Sequence, residues 1–225
     1  DYKVFPQNGL IKMTKDLPAY LTAFLEPVSA CVGGWEKMKP EAGATVVVIG
    51  AGPMGIINAM VYHAVGCRVI VSEMSDKKIE RLKALGWPEI IDSRTCDPVE
   101  KVFELTDGFG ADCVIPCAAI TSVYEQAFKM LKKHDGKMLF FGAGYPEPEM
   151  NISPNQLHYM RADLIGTIGC TTAGVVFAAK LINNKLIDIE KAWEGEIYPL
   201  RDIQQAYESA VKRDQFRISV DLQGI

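Results

Sequence analysis

"VVVIGAGPMG", residues 46–55, places Gly50, Gly52 and Gly55 directly after a run of valine and isoleucine. Residues 45–49 are short, continuous and β-branched, the pattern of a strand buried on both faces. After the glycines, Met54, Ile57, Met60, Val61 and Ala64 recur at helical spacing, and Pro53 suits a first helical turn. The stretch therefore reads as strand, tight corner and helix, the helix spanning 53–65 and ending at Gly66. Residues 42–67 contain no Asp, Glu, Lys or Arg, a length that would cross a bilayer. Gly50, Gly52, Pro53, Gly55 and Asn58 in mid-run argue against a membrane span.

Outward from the corner the same rhythm repeats. A second β run covers 68–72, and Ser75 is expected to cap a helix whose stripe is Ile79, Leu82 and Leu85, stopped by Gly86. Further strands are expected at 89–91, 112–116, 137–141 and 164–168. Helices are expected at 98–106, 123–133, 156–161 and 173–183. Six β runs joined by helical crossovers predict an α/β, doubly wound parallel sheet in the order 3-2-1-4-5-6. Residues 45–193 carry this rhythm. Residues 1–44 and 194–225 do not, and read as parts of a second unit; Asp1 falls in mid-pattern, as in a piece of a longer chain.

The corner has the G-x-G-x-x-G spacing, follows a buried strand, opens a helix, and is followed by an acid at the tip of the next strand. Gly50 permits the turn, Gly52 lets a pyrophosphate approach the backbone, and Gly55 lets helix and strand pack closely. Pro53 and Met54 lie in the first turn, whose N–H groups attract phosphate. Glu73 lies about twenty residues on, where a carboxylate accepts bonds from the adenosine ribose hydroxyls and repels a 2′-phosphate. This favours NAD over NADP. Lys77 and Lys78 soften the preference, and Lys78 is placed to reach the same ribose. The ends of strands four, five and six should line the rest of the groove, which nominates Cys117, Ala118, Gly142, Ala143, Ile168 and Gly169.

The net charge of −4 argues against a nucleic-acid or anionic-membrane partner. The six cysteines form no C-x-x-C pair and read as scattered buried thiols of a reducing compartment, the cytoplasm. His63 falls inside a helix, and His134 and His158 in turn or short-helix contexts, none followed by Glu.

"FLEPVSACVGGWEKMKPEAGATVVVIGAGPMG", "MNISPNQLHYMRADLIGTIG" and "LINNKLIDIEKAWEGEIYPLRDIQQAYESAVKRD" together resemble the medium-chain dehydrogenase/reductase superfamily, in its zinc-dependent polyol (sorbitol) and threonine dehydrogenase branch. The resemblance spans nearly the whole chain. It implies a six-stranded Rossmann sheet with remnants of a GroES-like catalytic domain at both ends. Residues 1–11 would be that domain's last strand, and 196–198 and 218–222 strands returning to it, with apolar edge surface where partners are missing. It implies hydride transfer between a secondary alcohol (polyol, sugar or sugar phosphate) or its ketone and NAD. It also implies a catalytic zinc in the full-length protein, near which Glu26 would lie, and no zinc in these 225 residues. Alone, they are expected to bind NADH without turnover. The resemblance further implies a homodimer through the edge strand 164–168. Two other readings stay open: a stand-alone NAD-binding or sensing module, and a Rossmann-like methyltransferase, which the spacing of Gly55 and the strand count disfavour.

Overall fold

The computed structural model describes residues 4–193, 195–212 and 217–222. A short helix α1 (Ala19–Thr22) leads into α2 (Leu25–Met38), and the sheet then begins. In chain order follow β1 (Thr45–Ile49), α3 (Pro53–Ala64), β2 (Arg68–Glu73), α4 (Asp76–Ala84), β3 (Ile90–Asp92), α5 (Pro98–Leu105) and β4 (Cys113–Pro116). The second half comprises α6 (Thr121–Lys129), β5 (Lys137–Phe140), α7 (Pro154–Met160), β6 (Asp163–Gly166) and α8 (Thr172–Asn183). A closing segment holds β7 (Ile197–Pro199), α9 (Ile203–Lys212) and β8 (Ser219–Asp221).

The six strands lie parallel in the order β3-β2-β1-β4-β5-β6, as the alternation of strand and helix predicts. The central strand shows why residues 46–49 are unbroken Val and Ile. Side chains alternate across a strand. Val46 and Val48 join the core that packs α2, α3 and α8, while Val47 and Ile49 join the core beneath α5 and α6. Both faces are dry from Val46 to Ile49, and only Thr45, at the half-buried start of β1, is polar. β1 pairs with β2 on one side and β4 on the other, which puts the change of direction of the sheet at the C-terminal ends of β1 and β4. Ligands in such sheets bind at that crevice.

Helix α2 belongs to this core: Val28, Cys31 and Val32 are fully buried, and Trp35 stacks on Phe177 of α8 at 5.0 Å. The closing segment pairs β7 with β8 in parallel, and Arg217 lies over the Phe24 ring at 5.4 Å. Apolar side chains stand exposed on both ends of the chain, among them Phe5, Leu10, Tyr207, Val211 and Leu222.

The structure differs from the expectations at several places. Helix α6 ends at Lys129 rather than near 133, because the chain beyond it is drawn into backbone pairing with Ala111. Ala111 N–H donates to Met130 C=O at 2.9 Å, and Lys132 N–H to Ala111 C=O at 2.8 Å. Ser75 occupies the cap position of α4, but its side chain makes no capping bond. Within 4–11 there is no strand, only one 3-10 turn at Gln7–Gly9; residues 1–3 lie outside the described residues. Ile168 lies two residues past the end of β6 and is almost fully exposed. All six cysteines are free, but only Cys31, Cys67 and Cys113 are buried; Cys117 and Cys170 are half-buried and Cys96 is exposed. His63 sits on α3 with its ring edge toward Trp87, centroids 5.8 Å apart. Among the described residues no helix is long and apolar enough to cross a membrane.

Candidate functional site

The corner between β1 and α3 is built by three glycines with three different tasks. Gly50 has φ +99°, a conformation costly for any residue with a β-carbon. Its N–H donates to Ser72 C=O on β2 at 2.7 Å. Gly52 has ordinary dihedrals (φ −70°, ψ −179°), and a β-carbon added there would meet nothing within 4 Å. The space it leaves is open. Gly55 is the reverse: a β-carbon would lie 1.8 Å from the Gly50 carbonyl oxygen. Pro53 occupies the first turn of α3 and lacks an N–H, and no side chain caps this helix. The orphan N–H groups and positive end of a 12-residue helix thus stand at an unfilled corner.

Glu73, the last residue of β2, is only 6% exposed. Its carboxylate is turned toward the corner. Oε2 accepts from Ala51 N–H at 2.7 Å, and Oε1 accepts from Met74 N–H at 2.7 Å and Ser75 N–H at 2.9 Å. Lys78 Nζ stands 3.7 Å from Oε2. One side chain therefore staples the glycine corner to the start of α4. An ionised carboxylate has about four acceptor sites, so three backbone bonds leave one.

On the other side of the corner is a cavity of about 420 Å³. Met54, Gly142, Ala143, Ile168 and Gly169 line it, together with Glu26, Ala30, Phe141 and Thr167. Met54 belongs to the first turn of α3, so it joins this cavity to the corner. Tyr124 donates its hydroxyl to Gly142 C=O at 3.1 Å and fixes the wall. Cys117 forms the floor of the corner, where its β-carbon is 3.9 Å from a β-carbon built on Gly50. Burial pushes its thiol up to about 12, although Asn58 donates to the sulfur at 3.7 Å. Cys117 is therefore a neutral packing group, not a nucleophile. Ala118 follows it and is half-buried.

The structure thus gathers Gly50, Gly52, Pro53, Gly55, Glu73 and Cys117 at the corner, Lys78 beside Glu73, and Glu26, Met54, Gly142, Ala143, Ile168 and Gly169 around one cavity that Ala118 does not line. Sequence reading missed Ala51, whose N–H receives the staple, and Asn58, which also donates to Met54 C=O at 2.9 Å. A lone Asn amid the apolar helix was the available signal for the latter. Glu26 stands exposed at the cavity, and among the described residues no group of three His, Cys, Asp or Glu could hold a metal ion. These residues do not fit a zinc ion. They do fit a dinucleotide, since the open space at Gly52 is a cradle that any side chain would fill.

Residues 53–184 match the family of zinc-binding dehydrogenases. A sorbitol dehydrogenase of Halalkalibacterium halodurans is 25% identical over 219 residues, covering 96% of this chain and 63% of that protein. An L-threonine 3-dehydrogenase of Thermococcus kodakarensis is 30% identical over 162 residues, covering 72% of this chain and 45% of that protein. The chain spans less than two thirds of the length of either relative. The 2R,3R-butanediol dehydrogenase of Bacillus subtilis superposes with a TM-score of 0.82 at 23% identity, over 93% of this chain and 60% of that one. A zinc-binding dehydrogenase of Sinorhizobium meliloti, solved bound to NADP, superposes with a TM-score of 0.79 at 22% identity, over 87% of this chain and 57% of that one.

Proposed function

Since the chain belongs to the zinc-binding dehydrogenase family, we propose that it is the NAD-binding part of an oxidoreductase that moves hydride between a secondary alcohol and NAD. The observation that carries this reading is the pairing of an open corner at Gly52 with the Glu73 carboxylate stapled to the same corner. Gly52 and the first turn of α3 hold the diphosphate. Glu73 Oε2, with its remaining lone pair, and Lys78 hold the adenosine ribose. The cavity lined by Met54, Gly142, Ala143, Ile168 and Gly169 takes the flat nicotinamide ring, with small groups where close backbone approach is needed. The bound cofactor supplies the hydride chemistry. A carboxylate at the ribose favours NAD over NADP.

The relatives named for sorbitol, threonine and butanediol support an alcohol or ketone substrate of polyol or sugar type, in a protein with a further, catalytic unit to which the ends of this chain, but not α2, contribute. Glu26, exposed at the cavity, is the candidate residue of this chain to lie near that unit's zinc. Six free thiols suit a reducing compartment such as the cytoplasm.

Substitution Gly52→Ala tests the site. The added methyl meets no protein atom, so the melting temperature should stay within about 2 °C. NADH affinity by calorimetry should fall about tenfold or more, because the methyl occupies the approach to the backbone. Unchanged affinity would remove the diphosphate from this corner.

We also infer a homodimer through β6, one of the two edge strands of the sheet. An edge strand is a template for a second copy, and two-fold pairing hides it. Light scattering should give twice the mass of the chain at high concentration; a monomer there would exclude the pairing.

A further inference from the structure

In dinucleotide folds, an acid at the β2 tip takes the ribose hydroxyls, whereas an arginine nearby accommodates a 2′-phosphate. This chain holds both kinds of residue on neighbouring strand tips. Glu73 and Asp92 are register partners on β2 and β3. Ser93 ties the two tips together, donating its N–H and hydroxyl to Glu73 C=O at 3.0 and 3.1 Å. Arg94 comes next. Its Nε and Nη2 form a two-pronged pair with Asp92 at 2.9 and 2.7 Å, and its Nη1 lies 2.6 Å from Asp76 Oδ1. Asp76 is the first residue of α4, three positions after Glu73.

The two carboxylates restrain Arg94 in different ways. Asp92 holds the guanidinium by two parallel bonds, a geometry that fixes orientation as well as charge, and its carboxyl is held down to about 2 by them. Asp76 is 81% exposed and makes a single contact with Arg94 through the remaining nitrogen. Surface pairs of that kind are weak. Asp76 is thus the partner that an incoming phosphate displaces, while Asp92 keeps the planar fork in place. At this rim Glu73, Asp76 and Asp92 stand against Arg94, Lys78 and Lys83, and Asp76 is the exposed acid that competes with a phosphate for the outer nitrogen of Arg94.

We propose that Arg94 is the residue that meets a 2′-phosphate, and that Asp76 holds it in reserve, so the Asp76–Arg94 pair sets how strongly the site prefers NAD over NADP. The proposal rests on the dinucleotide reading of the corner and names a selectivity device within it. Calorimetric titration of the 225-residue chain with NADH, NADPH and 2′,5′-ADP separates the two. Asp76→Asn should raise affinity for NADPH and 2′,5′-ADP about five- to tenfold and leave NADH within about twofold. Adding Arg94→Ala should abolish that gain. Circular dichroism of each variant checks the fold. A gain that persists in the double variant would show that removal of the Asp76 charge acts alone and would overturn the role of Arg94. No gain in Asp76→Asn would overturn it too. A wild-type chain that binds none of the three probes would overturn the dinucleotide reading itself, and Arg94 with it.

Discussion

Gly55→Ala is expected to unfold the corner and abolish NADH binding together. In a helix, alanine is favoured over glycine by about 1 kcal/mol, so propensity alone predicts stabilisation. The structure reverses the sign. The new β-carbon would stand 1.8 Å from the Gly50 oxygen and 2.9 Å from its carbonyl carbon. Both are backbone atoms and have no rotamer to escape into. Overpacking costs about 1–3 kcal/mol, and more where nothing yields. The net loss should be about 2 kcal/mol or more, a fall of about 5 °C or more in melting temperature for a chain of this size. Thermal denaturation and calorimetry with NADH read the two effects. A variant as stable as the wild type would show that α3 does not press on the corner in this way. Gly52→Ala, three residues earlier, should leave stability alone and lower only affinity. The pair separates a glycine needed for packing from one needed for the ligand.

Glu73→Ala should have an effect of comparable size by another route. The alanine leaves the N–H groups of Ala51, Met74 and Ser75 without their acceptor. Ala51 is fully buried, and a buried donor left unpaired costs about 1–3 kcal/mol. Stability should fall by about 2–4 kcal/mol, measured by urea titration. NADH affinity should fall about a hundredfold, since the ribose loses its charged acceptor and the corner loses its staple. Glu73→Gln keeps one oxygen for Met74 and Ser75, but sets an amide donor against the Ala51 N–H or the reverse. It should recover part of the stability and little of the affinity. If Glu73→Ala keeps both stability and affinity, the staple has no energetic weight and the ribose assignment fails with it.

What was legible in the sequence is what local pattern encodes. The buried run 45–49, the glycine spacing and the acid at the end of β2 each follow from one residue type in one local setting, and together they define the sheet order and the corner. The misread features are set by distant partners. Helix α6 stops at Lys129 because Ala111, which precedes β4 in the chain, pairs with the residues that would have continued it. Ser75 has the chemistry of a cap and sits at the cap position, yet its hydroxyl accepts no capping bond; what it contributes is its backbone N–H, donated to the Glu73 carboxylate. The inward turn of Glu73 was invisible for the same reason: its acceptor role toward Ala51 depends on how close two strands bring their ends. The link between Arg94 and Asp76 likewise joins the tip of β3 to the start of α4 and has no signature in spacing.

The place of β1 in the middle of the sheet also bears on biosynthesis. Its neighbour on one side, β2, follows after a single helix, but its other neighbour, β4, lies sixty-seven residues further along the chain. At a translation rate of about 5–20 residues per second, the most apolar strand of the protein waits about 3–13 s with one flank unpaired. The crevice between the ends of β1 and β4 can form only after that interval, once β4 has paired.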